Sequence, residues 1–287
     1  MAKSLRRGLV LAGGGYVASA WEIGLVTGLA DSGLDVREAD LFIGTSAGAR
    51  VALELTSGRA LEEVYQQRAG TEAPAPEAPV RLDWAALRPQ LEAARQAGGS
   101  TAAILQRYGA LAQAVAQGTA AERRGVVAGQ LPLADWPAQD LRIVALSAAS
   151  GARRAFDRDS GVPLVDAVIA STAAFGAPLL EFEGEPYFDG GYFSSDNADL
   201  AMGCERVLVL ALRSPPQALR LVSIEDGVAA LRASGAQVQV IHPDAETMAA
   251  LEATGGPMNP ASGPAAAIAG RAQGQRVVGA GLREFWG

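Results

Sequence analysis

Short apolar runs alternate with longer helical segments in the first part of the chain. Residues 7–12 read as a buried strand, a run of glycines follows, and residues 17–29 carry apolar side chains at helical spacing. The apolar run at 41–43 predicts the next strand. This strand–helix–strand order predicts a parallel sheet with a right-handed crossover. Within the helix, Gly24 and Gly28 would allow close packing on the sheet.

The segment from about residue 59 to 139 has a different character, because alanine, glutamine and arginine dominate it. Four helical stretches are expected there, at 60–69, 84–97, 101–116 and 120–128. A proline-rich break covers 73–79, and Thr119 and Glu122 have the spacing of a capping box. We interpret the segment as a helical insertion over the sheet edge. The alternative is that it consists only of crossover helices.

Strand character returns after residue 140. The predicted strands, including a short hairpin, are 141–146, 179–182, 186–188, 206–212 and 237–241. The predicted helices are 162–173, 217–233, 245–253 and a tail from residue 260. The whole pattern predicts an α/β fold, in which a largely parallel sheet is flanked by helices. We expect one domain over residues 1–287, with the helical insertion at about 59–139 placed after the second helix.

Composition and charge exclude several kinds of function. The 287 residues are 49% hydrophobic, which is enough for a full core, and the net charge of −7 argues against nucleic-acid binding. The single cysteine, Cys204, leaves no internal disulfide, and together with the single histidine, His242, it leaves no His/Cys cluster for zinc. We therefore expect neither a metal ion nor an organic cofactor. No uninterrupted apolar run approaches membrane-spanning length.

The first residues have some features of an export signal. Residues 1–8 are basic, residues 9–17 are fairly apolar, and residues 18–20 resemble a signal-peptidase site. However, three consecutive glycines at 13–15 would weaken an apolar helix, and cleavage would remove the first predicted strand. We therefore expect a cytoplasmic protein.

A serine motif follows the second predicted strand. Gly44, Ser46 and Gly48 satisfy the G-x-S-x-G pattern of a nucleophile elbow, in which a serine stands at a sharp strand-to-helix turn. Glycines are needed two positions before and after the serine, because side chains there would collide with the crossing backbone. Residues 47–56 are helix-permissive, so Ser46 would lie at a helix N-terminus, which favours developing negative charge.

A serine nucleophile needs a base and hydrogen-bond donors for the oxyanion. The glycine run of the first strand-to-helix turn offers successive backbone N–H groups in one concavity, from Gly13, Gly14 and Gly15. The candidate base is Asp189, which follows a predicted strand end and precedes two glycines, Gly190 and Gly191.

Three motifs in this order, G-G-G, G-T-S-A-G and a distant D-G-G, resemble the patatin-like phospholipase family. Residues 21–25 and 170–178 are also similar to it, and the resemblance covers roughly residues 8–58 and 141–212. It implies a Ser46–Asp189 dyad in which Asp189 takes the serine proton without a histidine.

The resemblance also assigns the oxyanion loop to Gly13, Gly14 and Gly15, with Gly44, Gly48, Gly190 and Gly191 as supporting residues. It implies lipid acyl hydrolysis, on phospholipids, lysophospholipids or neutral glycerides, through an acyl-serine intermediate. The expected partners are a lipid or acyl-ester substrate and, transiently, a membrane surface. Apolar positions of the insertion are then candidates for a lid or an acyl-chain wall. The oligomeric state is not predicted.

The chain departs from the family pattern at two places. Val17 and Ala18 stand where the family's loop usually has a basic residue and a glycine, and residues 194–198 replace an Asn-x-Pro-type segment. The absence of a basic residue suggests an alternative, a weakly active or non-catalytic lipid-binding protein on the same fold.

Two further alternatives come from the same residues. Gly13, Gly15 and Ala18 satisfy a relaxed dinucleotide-binding fingerprint, although it leaves the serine and aspartate motifs unexplained. Ser46, Asp189 and His242 occur in the order of an α/β-hydrolase triad. Against that triad, Ser46 follows only one clear preceding strand, and His242 occupies an ordinary strand exit, so we interpret His242 as structural.

Overall fold

The computed structural model describes residues 5–70, 81–212, 219–256 and 259–287. The proline-rich break predicted at 73–79 lies outside the described residues. The predicted N-terminal unit is present, and its first helix is longer than predicted at both ends. It consists of β1 (Arg7–Leu11), α1 (Gly15–Asp31), β2 (Leu41–Thr45) and α2 (Ala47–Thr56).

The helices predicted between residues 59 and 139 are present close to their expected bounds. They are α3 (Leu61–Ala69), α4 (Trp84–Gln96), α5 (Thr101–Val115) and α6 (Ala120–Gln130). The predicted capping box at Thr119 and Glu122 is formed. Leu91 of α4 and Leu105 of α5 belong to one apolar cluster with Leu146 and Phe188, which lie on two strands of the sheet. The helices therefore share a core with the sheet.

The remaining elements alternate strands and helices. The strands are β3 (Asp140–Ser147), β4 (Arg153–Phe156), β5 (Leu180–Phe182), β6 (Glu185–Asp189), β7 (Arg206–Leu210) and β8 (Gln237–Ile241). The helices are α7 (Leu164–Ser171), α8 (Ile224–Ala233), α9 (Ala245–Ala253), α10 (Gly263–Val277) and α11 (Ala280–Trp286). Residues 217 and 218 of the helix predicted at 217–233 lie outside the described residues. In the described part helix α8 begins only after Ser223, which caps it in a capping box with Asp226.

The strands form one sheet in the order β5-β6-β3-β2-β1-β7-β8, with β4 also paired to β3. Strands β3, β2, β1, β7 and β8 are mutually parallel, whereas β4, β5 and β6 pair antiparallel. The predicted fold class, a largely parallel sheet flanked by helices, is confirmed. Because parallel strands carry their following loops at one edge, the glycine turn after β1 and the serine turn after β2 are neighbours.

Apolar side chains of β1 alternate between the two faces of the sheet. Leu9 and Leu11 enter the larger core with α1, α2, α7 and α10, whereas Val10 enters a second cluster that includes α8. Gly24 and Gly28 were predicted to allow packing of α1 on the sheet, but they allow its packing on α10 instead. A Cβ at Gly24 would lie 2.1 Å from the carbonyl oxygen of Ala267. Among the described helices, none is both long and apolar enough to cross a membrane.

Candidate active site

Ser46 stands in a sharp turn between β2 and α2. Its backbone has φ 53° and ψ −119°, a conformation that costs a non-glycine residue roughly 1–3 kcal/mol. Two flanking glycines make the turn sterically feasible. A Cβ at Gly44 would lie 2.5 Å from Ala49 Cα, and one at Gly48 would lie 2.0 Å from Leu11 O. The predicted strand–serine–helix turn is therefore present, and the neighbouring backbones explain why both glycines are required.

Asp189 is the last residue of β6 and makes direct contact with Ser46. The hydroxyl of Ser46 donates a hydrogen bond to Asp189 Oδ2 at 2.6 Å. The other carboxylate oxygen, Oδ1, accepts the N–H of Gly191 at 2.7 Å. A Cβ at Gly190 would lie 2.5 Å from Val144 O, so a glycine is needed where β6 ends against β3. The structure thus brings together two side chains that are distant in sequence.

Burial controls the acidity of Asp189, which is only 6% exposed. Desolvation raises the pKa of its carboxyl to about 6, against the opposing effects of the Ser46 and Gly191 hydrogen bonds and the positive charges of Arg220 and Arg123. At neutral pH the carboxylate is mostly ionised, and its proton affinity is much higher than that of an exposed aspartate. Such a carboxylate is suited to accept a proton from a serine hydroxyl.

The backbone N–H of Ser46 is held by a residue that the sequence analysis did not single out. It donates to the hydroxyl of Ser171, at the end of α7, at 2.9 Å. Two residues further on, the carbonyl of Ala173 accepts the N–H of Asp189 at 3.0 Å. The end of α7 therefore holds both members of the pair. One indication in the sequence pointed to Ser171 and Ala173, because residues 170–178 are similar to the family.

The glycine turn after β1 lies beside Ser46, but its three glycines differ in their hydrogen bonding. A Cβ at Gly13 would lie 3.1 Å from the Cβ of Ser46, and the N–H of Gly13 donates to the carbonyl of Ser195 at 2.7 Å. The prediction that Gly13 offers a free donor is therefore wrong for this conformation. The N–H groups of Gly14 and Gly15 have no hydrogen-bond partner in the part of the chain that the structure describes. Gly15 has a positive φ of 71°, a backbone conformation that glycine adopts more readily than other residues.

The turn that replaces the family's Asn-x-Pro-type segment connects the three motif loops. Its residue Ser195 accepts the N–H of Gly13. Asn197, buried and with φ 52°, donates through its amide to the hydroxyl of Thr45 at 3.0 Å and to the carbonyl of Ser194 at 2.8 Å. These bonds link the glycine turn and the serine strand to the chain that follows Asp189.

Asp196, in the same turn, is fully buried. It accepts hydrogen bonds from the hydroxyls of Ser194 and Ser195 and from the N–H of Ala198. Burial raises the pKa of its carboxyl, and these hydrogen bonds oppose the shift. Asp196 therefore stabilises the turn by accepting hydrogen bonds from three of its residues.

The side chain of Glu22, in α1, holds the backbone at the start of the glycine turn. It is 1% exposed, and its Oε1 accepts the N–H of Ala12, the residue before the glycines, at 3.0 Å. Burial raises the pKa of this carboxyl well above its usual value, and the hydrogen bond from Ala12 opposes the shift. Its sequence position, inside an apolar helix, gave no indication of this contact.

An aromatic cluster, formed by Trp84, Phe175 and Tyr192, adjoins the pair. The Tyr192 hydroxyl accepts the N–H of Phe175 at 3.2 Å, and the two rings lie 4.4 Å apart between centroids. Trp84, from the first turn of α4, meets Phe175 edge-on at 6.5 Å and is 48% exposed. Burial and the negative charge of Asp189 raise the pKa of Tyr192. Apolar surface from the predicted insertion thus reaches the neighbourhood of Asp189.

The structure does not support the two alternative sites. Nδ1 of His242 lies 2.7 Å from the carbonyl of Ala211, and both carboxylate oxygens of Asp189 are engaged by Ser46 and Gly191. The second strand of the N-terminal unit leads to Ser46 and not to the acidic residue that a dinucleotide site requires. Across residues 5–70, 81–212, 219–256 and 259–287, no group of three or more His, Cys, Asp or Glu side chains could hold a metal ion.

The family model of the patatin-like phospholipases matches residues 9–202, a range that contains the glycine turn, Ser46 and Asp189. No curated protein matches the chain. Among solved structures, the chain is similar to the type III effector protein ExoU, with 14% sequence identity and a TM-score of 0.37. That match covers 95% of this chain and 54% of ExoU, so the chain spans about half of that protein's length.

Proposed function

We propose that this chain, which belongs to the patatin-like phospholipase family, hydrolyses the acyl ester of a lipid with Ser46 as nucleophile and Asp189 as base. One observation carries the proposal: a serine in a strained turn donates a 2.6 Å hydrogen bond to a buried carboxylate. A serine hydroxyl is a weak nucleophile at neutral pH, and an adjacent base is the usual means of activating it.

In the acylation step, Ser46 Oγ attacks the carbonyl carbon of the ester while its proton moves to Asp189 Oδ2. The carbonyl oxygen becomes an oxyanion, which accepts hydrogen bonds from backbone N–H groups of the glycine turn. Gly14 and Gly15 supply these donors, because the N–H of Gly13 is already bonded to Ser195. Collapse of the tetrahedral intermediate breaks the ester C–O bond, and the departing alcohol takes the proton from Asp189. The acyl group remains on Ser46.

Deacylation follows the same path with water in place of the alcohol. Asp189 accepts a proton from the water as its oxygen attacks the acyl carbon, and the second tetrahedral intermediate releases the fatty acid. Ser46 recovers its proton from Asp189. The raised pKa of Asp189 suits both directions of proton transfer, since the group must accept and return a proton near neutral pH.

We also propose that the chain forms a single acyl-hydrolase domain, with α3–α6 as an insertion that contributes to substrate binding. Three features support this proposal: the core that α4 and α5 share with β3 and β6, the half-exposed Trp84, and its contact with Phe175 beside the dyad. These aromatic and apolar side chains would contact the acyl chain of the substrate.

The kinetic test compares hydrolysis of a medium-chain ester by the wild type and matched variants. Ser46→Ala should abolish turnover, and Asp189→Asn should reduce kcat by about 10²–10⁴-fold, the usual range for loss of a general base. The controls Ser234→Ala and Asp159→Asn change an exposed serine and an exposed aspartate, and both should retain full activity. His242→Ala should also remain active.

Two results would contradict the proposal. Loss of activity in His242→Ala at unchanged stability would restore the triad. A wild-type protein that binds lipid but does not hydrolyse it would favour the non-catalytic alternative.

A further inference from the structure

The chain segment after β7 is fixed against the loop that follows Asp189. The N–H groups of Leu221 and Val222 both donate to the carbonyl of Phe193, at 3.1 and 2.9 Å. Phe193 directly follows the 3₁₀ turn Gly190–Tyr192, which itself begins after Asp189. Residues 219–222 are therefore neighbours of the dyad, although they are distant from it in sequence.

Arg220 lies in the centre of this segment, between two anchored leucines. Leu219 and Leu221 pack against the apolar cluster that also contacts Tyr192. The Arg220 side chain is half-buried. Desolvation lowers the pKa of its guanidinium, and its charge acts on Asp189, Asp196 and Tyr192. Within the described ranges, no residue forms a hydrogen bond or an ion pair with it. These N–H donors next to the dyad are therefore available to an anion that enters the site.

The residue of the glycine turn that is basic in the family pattern is apolar in this chain. The family pattern places a basic residue at the position of Val17, and Val17 is 2% exposed within the main core. A charged side chain at that position would be buried without a partner. Val17 therefore supplies no charge at this position, whereas Arg220 places a positive charge next to Asp189.

We infer that Arg220 binds an anionic phosphate of the substrate, next to the ester that Ser46 attacks. This inference rests on the proposed function and narrows it to phospholipids or lysophospholipids, in preference to neutral glycerides. Arginine suits this role because its planar guanidinium can donate two parallel hydrogen bonds to phosphate oxygens. Its charge would also offset the repulsion between the substrate phosphate and ionised Asp189.

The test compares two lipids that carry the same acyl chain, a lysophosphatidylglycerol and a monoacylglycerol. Arg220→Gln should lower kcat/KM for the phospholipid at least about tenfold, as expected for loss of a charge-assisted contact, and change the neutral lipid less than about twofold. Arg220→Lys should restore part of the loss, because it keeps the charge without the fork geometry. Arg232→Gln, a change at an exposed arginine of α8, should affect neither lipid.

Equal losses on both lipids would overturn the inference, because Arg220 would then act only on the dyad or on folding. An unchanged rate on the phospholipid would overturn it as well.

A binding measurement separates this inference from the proposed function. Dodecyl phosphate should bind Ser46→Ala at least about tenfold more tightly than Ser46→Ala/Arg220→Gln, whereas dodecyl maltoside should bind both equally. Equal affinity of dodecyl phosphate for the two variants would refute the anion site, whether or not the wild type hydrolyses lipid. Inorganic phosphate should bind much more weakly than dodecyl phosphate, and equal affinity for the two would refute a lipid ligand.

Discussion

The raised pKa of Asp189 gives the proposed mechanism a defined response to acid. Because Asp189 must be ionised to accept the serine proton, kcat/KM should follow the ionised fraction of the free enzyme. With the pKa at about 6, the ionised fraction is about 0.9 at pH 7 and about 0.1 at pH 5. The rate should therefore fall about tenfold between these two pH values.

An exposed aspartate would behave differently. With the ordinary value of 3.8, more than about 0.9 of the carboxyl would still be ionised at pH 5, and the rate would barely change. The position of the acid limb thus reports how strongly burial acts on Asp189. Replacing Arg220 by glutamine should move the limb to higher pH, because the positive charge of Arg220 lowers this pKa.

The assay measures the release of fatty acid from a neutral ester by chromatography, because this readout does not depend on the ionisation of a dye. Circular dichroism at each pH confirms that the protein remains folded. Asp189→Asn should show residual activity without the acid limb. A wild-type rate that stays constant down to about pH 5 would refute the assignment of a desolvated Asp189 as the base.

Three further predictions concern stability. The folded-state pKa of Asp189 lies above its unfolded value, so the folded protein loses stability as pH rises from 3.8 to about 6, by up to about 3 kcal/mol. Asp189→Asn should therefore be more stable than wild type in urea at about pH 8 and lose this advantage near pH 4; a less stable variant at pH 8 would contradict the burial argument. Gly48→Ala should destabilise the protein by about 1–3 kcal/mol, because its Cβ would lie 2.0 Å from Leu11 O. Gly125→Ala, where a Cβ meets nothing within 4 Å, should be neutral or stabilising, and equal effects of the two changes would show that close approach is not the cause. Val17→Arg should lower the thermal midpoint markedly without raising activity, because Val17 is buried; a stable, more active variant would show that the glycine turn accepts a cation.

The contact between Ser46 and Asp189 could be predicted from the sequence because each residue lies in a short local motif. The spacing of the glycines in these motifs is visible in the sequence, although the atoms that require Gly48 and Gly190 belong to other strands, at Leu11 and Val144. The hydrogen bonding of the glycine turn could not be predicted in the same way. Whether the N–H of Gly13 is free depends on Ser195, which comes from a turn far along the chain.

Helix α1 shows why the supporting contacts were missed. It lies between the sheet and α10, so most of its residues are buried and its polar positions do not mark an exposed face. Gly24 and Gly28 therefore gave no indication that their partner would be α10. For the same reason Glu22 did not stand out as the acceptor for Ala12. The position of the Arg220 charge next to Asp189 likewise depends on the tertiary placement of residues 219–222.

The most direct test of the dyad is to locate the acyl intermediate. Wild type and Asp189→Asn would be incubated with a fluorophosphonate probe and with a slowly hydrolysed acyl ester, and the modified peptide would be identified by mass spectrometry. The account predicts a single adduct on Ser46, formed rapidly in wild type, much more slowly in Asp189→Asn and absent from Ser46→Ala. Rapid labelling of Ser46 that does not depend on Asp189, or an adduct on another residue, would contradict it.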